Sequence, residues 1–481
     1  MQHRPCQLDG FILHTDKPDI ILCNDSAATN QIGSWSESTL TWNNKPSYTT
    51  KVESVAYSAG PKKYNSWDIT NLMRAWRAGT KTNYGVMIKL AEESGSTVSV
   101  LYDGSTDNSD YFSIVYMNAT GLESYYSYHS QSVGRAGTGH VNDFTGGLTF
   151  THDDGGITNG VMPISVSHVY NTNDKDVDVG YGFGWRINYA QTIRRFKVPK
   201  PGDASATNWY CEYTDGDGTR HYFRQDPPSQ NGPTFYYVNE ENKDITLTVS
   251  YYRAAYLTDK DGNVLHFSMQ YNNPATQEIY GRLACMSDAN GNKIHISYAS
   301  PLPDVPYQGT NPLTLSSFQD KANGYLRITS VQEQLSGQSV GQLMHFSYSS
   351  NRLSSITPRT VSGTDFGLKQ AYYYDGSGDL NEIRYADDLG SGTTASTYSY
   401  TSHRLEQAKN KVDNYNINYQ YDGQNRVVKV TEKANATAGQ YLDFTYGYNK
   451  TKVTDIQGRN TIYLFNHSQA ALRHARSHRG L

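Results

Sequence analysis

The stretch Ile417–Val430, INYQYDGQNRVVKV, decides the fold. Ile417, Tyr419 and Tyr421 alternate with polar residues, Asp422-Gly423 offers a tight turn, and Val427, Val428 and Val430 resume a β-branched run. Two arms of period-two alternation joined by turn residues make a β-hairpin. The shape recurs as FSYSSNRLSSI from Phe346, AYYYDGSGDLNEI from Ala371, TYSYTSHRLEQA from Thr397 and FTYGYNKTKV from Phe444. The second tyrosine of each copy falls at Tyr348, Tyr374, Tyr400, Tyr421 and Tyr448, at intervals from 21 residues (400 to 421) to 27 (421 to 448). Units this short cannot bury an apolar face alone, so stacked copies must share one core.

Between 205 and 340 the hairpin takes a second form. TDGDGTRHYF, TDKDGNVLHF and SDANGNKIHISY share an Asp, a turn pair at Asp217-Gly218, Asp261-Gly262 or Asn290-Gly291, and a closing strand. VTDIQGRNTIYLF repeats it with Gln457-Gly458. A sheet is therefore expected from about residue 205 to 465, with the Pro-rich stretch 301–312 as a loop. The copies resemble the tyrosine-aspartate (YD) repeats of the Rhs family, with the full triplet at Tyr374-Asp375-Gly376 and Tyr421-Asp422-Gly423.

Composition agrees with an all-β chain. Only 37% of the 481 residues are hydrophobic, yet 40 are Tyr, whose apolar ring and polar tip suit a partly wet sheet. A net charge of −4 supplies no basic field for nucleic acid. No run of eighteen apolar residues marks a membrane span, and Cys6, Cys23, Cys211 and Cys285 form no metal-type pair or disulfide framework.

Residues 1–33 read as an unmatched N-terminal part without a secretory signal, which suggests that the frame starts inside a longer protein. Residues 34–117 read as a β-sandwich with one short helix. Asp68 would cap that helix, Ile69, Leu72, Met73 and Trp76 would form its apolar face, and Gly79 would end it. Trp35, Trp42, Asn43, Pro46, Asp68, Thr70, Trp76, Gly79, Asn83, Tyr84 and Gly85 resemble the pattern of the DNRLRE domain, which is similar to carbohydrate-binding modules. The three Trp residues read as core, leaving exposed Tyr as sugar contacts.

Residues 118–200 resemble the lead-in segment that Rhs proteins place between such a module and the repeat shell. MPISVSHVYN puts Ile164, Val166, His168 and Tyr170 on one strand face, and in GYGFGWRINY, Gly180, Gly182 and Gly184 permit close approach beside the anchor Trp185. No helix follows to make those glycines a phosphate loop.

Readings that carry chemistry are weak. Acidic clusters at 103–110, 152–154 and 171–178 group oxygen ligands but fit no EF-hand loop and read as Asx-rich turns. His168, His266 and His295 read as half-buried strand positions, and Asp365-Phe366-Gly367 lacks every other kinase element. Hence no catalytic, cofactor, metal or ligand residue is assigned. Residues 466–481 read as a basic tail outside the repeat pattern, carrying Arg473, His474, Arg476, His478 and Arg479, so that TIYLF at 461–465 would be an exposed, association-prone edge strand.

The resemblance implies an extracellular or wall-associated, non-enzymatic scaffold. In complete relatives the coiled sheet forms a shell that encloses a C-terminal toxin for contact-dependent competition. A surface adhesin with a carbohydrate-binding front module is the alternative, and a polysaccharide-active enzyme a distant third. The implied partners are a cell-wall or other polysaccharide and a toxin cargo.

Overall fold

The computed structural model describes most residues from 121 to 465, the strand Ala471–Ser477 and six strands before residue 115. The described residues are nearly all β, as the alternating patterns require. The chain divides into two compact units, one of Cys6–Met117 with Val198–Asn208, the other built mainly of Asn118–Lys197 and Trp209–Leu481.

The front unit holds two antiparallel three-stranded sheets. Phe11–Thr15 is central in one, between Asn65–Asp68 and Phe112–Ile114. Ile20–Cys23 is central in the other, between Tyr48–Glu53 and Val86–Ile88. Residues 1–33, read from sequence as unmatched, thus supply the middle strand of both sheets. Asp68, expected to cap a helix, ends a strand, with the extended backbone that a capping residue also takes. The rest of that helix, the strands expected around Trp35 to Trp42 and at TVSVLYD, the cluster 103–110 and the loop 301–312 lie outside the described residues.

The larger unit contains two sheets. Five antiparallel strands follow the order Trp185–Ile187, Ile164–Asn171, Leu148–Ile157, Thr138–Asn142 and Tyr128–Ser132; we call this the lead-in sheet. The other sheet has 22 strands in sequence order, from Thr192–Lys200 to Ala471–Ser477. Thr192–Lys200 also pairs with Glu278–Ser287, so the first eight strands close on themselves.

The turns correct the sequence reading. At Asp422 the chain does not reverse on Asp-Gly: the backbone N–H of Asn425 donates to the Asp422 carbonyl and that of Asp422 to the Arg426 carbonyl, with Asn425 at φ 61°. The loop therefore has three residues and ends in the left-handed conformation, a type I turn with a bulge. Asp422 Oδ1 accepts the backbone N–H groups of Gln424 and Arg426 at 2.8 and 3.0 Å. Asp215, Asp259, Asp288, Asp375 and Asp455 do the same for the residues two and four positions on, at 2.9 to 3.0 Å. Gly218, Gly262, Gly291, Gly378 and Gly458 take the positive φ. The two forms of hairpin are one turn, Asp-x-x-Gly/Asn-x. Among the described residues, the two copies without that Asp from Phe346 and Thr397 use a two-residue turn with both central residues at positive φ, Ser350-Asn351 and Ser402-His403.

The C-terminal stretch is corrected too. Ala471–Ser477 pairs antiparallel with Asn460–Phe465, whose other side pairs with Lys450–Asp455. TIYLF is thus flanked on both sides, and the tail read as lying outside the pattern continues the sheet.

Candidate functional site: the seam between the sheets

Tyrosines mark where the two sheets of the larger unit meet, and they first tie the repeats to each other. The hydroxyls of Tyr298, Tyr348, Tyr400, Tyr421 and Tyr446 donate to the carbonyls of Leu283, Ile328, Leu380, Leu405 and Val427, at 2.6 to 2.9 Å. The donor of the last copy is Tyr446; Tyr448, chosen from sequence, lies outside the described residues. Every acceptor lies on the strand immediately preceding that of its tyrosine. In four hairpins the pairing slips by one residue beside the partner of a tyrosine: Tyr348 faces Leu353 while Ser347 faces Ser355, and Tyr374 with Leu380, Tyr400 with Leu405 and Tyr421 with Val427 repeat the step. Such bulges interrupt the ladder and increase twist.

An arginine stands beside most acceptors. Arg282, Arg327, Arg352, Arg404 and Arg426 immediately precede an aliphatic residue and lie 4.1 to 5.9 Å from the ring centres of Tyr298, Tyr348, Tyr374, Tyr421 and Tyr446. Sequence reading missed these arginines; the recurring Arg-aliphatic dipeptide ahead of each tyrosine was the available signal. Burial pushes the phenols up, Tyr181 to about 12 and Tyr400 well above its ordinary value, so they remain donors at neutral pH.

Onto this ladder the motif GYGFGW lays its side chains. Tyr181 Oη meets Tyr348 Oη at 3.2 Å, Phe183 stacks on His403 at 3.9 Å between ring centres, and Trp185 Nε1 donates to Tyr400 Oη at 2.8 Å. Tyr170 Oη donates to the His403 carbonyl and accepts the Leu405 N–H. Asp178 receives Arg352, with Nε at 2.9 and Nη2 at 2.8 Å. Gly182 has φ +96°, and a Cβ there would stand 3.1 Å from Leu380 N and 3.2 Å from a Tyr374 ring carbon. Close approach, the role read from sequence, is what this glycine supplies. Trp185 is the buried anchor, packed edge-on against Phe150 and Tyr398.

The strand face Ile164, Val166, His168, Tyr170 is buried throughout. His168, read as half-buried, is fully buried, because Asp154 pairs with it: Asp154 lies 2.5 Å from His168 Nδ1 and 2.9 Å from His152 Nδ1 and accepts the Tyr372 hydroxyl at 2.8 Å. Burial alone would raise this carboxyl; the two imidazoles outweigh it and hold Asp154 below the usual carboxylate range. The residues 152–154 thus form an internal polar staple. In 171–178, Asp174 is bound by Arg186 at 2.9 Å and Arg220 at 2.6 Å, and Asn171 caps a short turn. The buried carboxylates of the two clusters, Asp154 and Asp174, are thus taken by side chains of this chain. His266 and His295 are partly exposed strand residues, as read.

One further group converges where the lead-in begins. Glu123 Oε1 and Asp215 Oδ2 lie 3.2 and 3.3 Å from His221 Nε2. The three donor atoms fall within 4.8 Å of one another.

Comparison with known proteins places two matches on this chain. Residues 25–116 match carbohydrate-binding module family 96, and residues 138–223 match a domain of unknown function, DUF6531. No curated protein matches. Among solved structures, the crystal structure of TcdB2-TccC3 is similar at 9% identity and TM-score 0.20, covering 67% of this chain and 24% of that one. The Tc holotoxin pore of Photorhabdus luminescens is similar at 11% identity and TM-score 0.20, covering 69% and 26%. The N-terminal domain of effector protein SpvB from Salmonella typhimurium is similar at 9% identity and TM-score 0.19, covering 65% and 97%. The chain spans about a quarter of the length of the two toxin chains, and likenesses at these scores assign it no activity. Among the described residues no helix is long and apolar enough to cross a membrane. The first of these matches puts a stretch similar to carbohydrate-binding modules at the front of the chain.

Proposed function

We propose that this chain is a non-catalytic scaffold of an Rhs/YD-repeat protein, whose DNRLRE-like front module holds polysaccharide while the repeat sheet forms part of a shell for a toxin cargo carried by longer relatives. The match of residues 25–116 to a carbohydrate-binding family carries the first half of this reading. Support for the second half comes from the seam: its polar groups are consumed by holding two sheets together, as the wall of a container requires. A wall-associated adhesin that binds sugar and carries no cargo is the second reading, and the same front match favours it.

Incubation of the full chain with insoluble cell-wall and plant polysaccharides, followed by sedimentation, tests the sugar-binding half. Depletion from the supernatant by at least one polysaccharide, reversed by its soluble fragments, is expected. Full recovery in the supernatant across the panel would remove it. A hydrolysis product in the same tubes would instead favour an enzyme.

A further inference from the structure

We propose that Glu123, Asp215 and His221 form a divalent-cation site that fastens the start of the lead-in segment to the repeat sheet. Donors bound to one ion at the metal–nitrogen and metal–oxygen lengths usual for zinc, about 2.0 to 2.2 Å, stand roughly 3.0 to 3.5 Å from their neighbours. The observed 3.2 and 3.3 Å from His221 Nε2 to the two carboxylates fall in that range. One imidazole nitrogen and two carboxylate oxygens suit a first-row divalent ion such as zinc, with a water completing the shell.

The repeats provide an internal comparison. In the same turn at Asp259, Asp288, Asp422 and Asp455, Oδ1 binds the backbone and Oδ2 is taken by the side chain four residues on: Asn263, Asn292, Arg426 and Arg459, at 2.6 to 2.8 Å. At Asp215 that position is Thr219, whose hydroxyl turns to Asp217 Oδ1 at 2.6 Å. Asp215 Oδ2 is thereby directed at His221, and Glu123 arrives there from a segment more than ninety residues earlier. Two carboxylate oxygens then converge on one imidazole nitrogen, a donor set that a divalent ion bridges. The His221 ring is held by stacking on Tyr213, 5.4 Å between centres. Leu122 N–H donates to Asp217 Oδ2 at 2.6 Å, so the backbone beside Glu123 is already docked. His221 and Glu123 are mostly buried, and Asp215 is 22% exposed, which leaves a path for the ion.

The test uses the full chain freed of metal with a chelator and titrated with Zn²⁺ by calorimetry and with Co²⁺ by visible absorption. One saturable equivalent is expected, with a rise in thermal midpoint that follows zinc concentration. Glu123→Gln, which preserves the hydrogen bond to His221, and His221→Gln should each weaken that equivalent by about tenfold or more. Absence of saturable uptake by the unaltered chain overturns the proposal, as does equal affinity in Glu123→Gln with the fold intact by circular dichroism.

Discussion

The Tyr400 hydroxyl donates to the Leu380 carbonyl at 2.7 Å, and the same oxygen receives the indole N–H of Trp185 at 2.8 Å. One phenol thus joins two hairpins of the repeat sheet and the lead-in sheet. Tyr400→Phe leaves a carbonyl and an indole N–H buried without partners and should cost about 2 to 3 kcal/mol in urea unfolding. Tyr374 is the control: its buried hydroxyl has no hydrogen-bond partner among the described residues. Tyr374→Phe should change stability by less than about 0.5 kcal/mol, and equal losses at both positions would contradict the ladder.

Gly182 combines φ +96° with a crowded surround: a methyl group added at its Cα would meet Leu380 N and the Tyr374 ring at 3.1 and 3.2 Å. Gly182→Ala should therefore destabilise the fold by about 2 kcal/mol or more. Gly423→Ala, with open space around it and no positive φ, should be close to neutral. Thermal midpoints of the two variants decide this.

Asp422 Oδ1 satisfies two backbone N–H groups of its own turn. Asp422→Ala should cost about 1 to 2 kcal/mol, and Asp422→Asn, which keeps the acceptor, clearly less. Equilibrium unfolding of both would show the difference.

Asp154 is held below its ordinary range in the folded chain. A depressed folded pKa means that the unfolded state takes up the proton first as pH falls, so this stabilisation is complete above the unfolded value of about 3.9 and is lost below it. Unfolding midpoints between pH 6 and 3 should fall less steeply in Asp154→Asn than in the unaltered chain, from a starting stability about 3 kcal/mol lower.

Shortening the chain before Asn466 removes the strand Ala471–Ser477 that covers Asn460–Phe465. The uncharged run TIYLF would then present an unpaired edge, and light scattering at tens of micromolar should show association by the shortened chain and not by the full one. Ile462→Lys in the shortened chain should reverse it.

Much of the fold was legible in sequence because alternation with period two leaves one reading for MPISVSHVYN or INYQYDGQNRVVKV, and because GYGFGW admits a close approach that other residues would block. The turn was misread because Asp-Gly is a strong local signal, whereas the controlling feature, an Asp bonded two and four residues on, is spaced across the loop. The Glu123, Asp215, His221 group could not be read at all, since nothing local joins position 123 to position 215; only the docking of the segment at Leu122 on the Asp217 turn does.

Every tyrosine of the ladder donates its hydrogen bond to a carbonyl earlier in the chain, and the arginines beside the rings of Tyr298, Tyr348, Tyr421 and Tyr446 are earlier too. The bond has a direction, and it is the direction of synthesis. A hairpin leaving the ribosome meets an acceptor that already exists, while its own carbonyl waits for the hairpin still to come. Assembly in the direction of synthesis is the expected outcome: an internal copy deleted in register should be bridged by the next tyrosine, whereas a copy reversed in order has no acceptor to find.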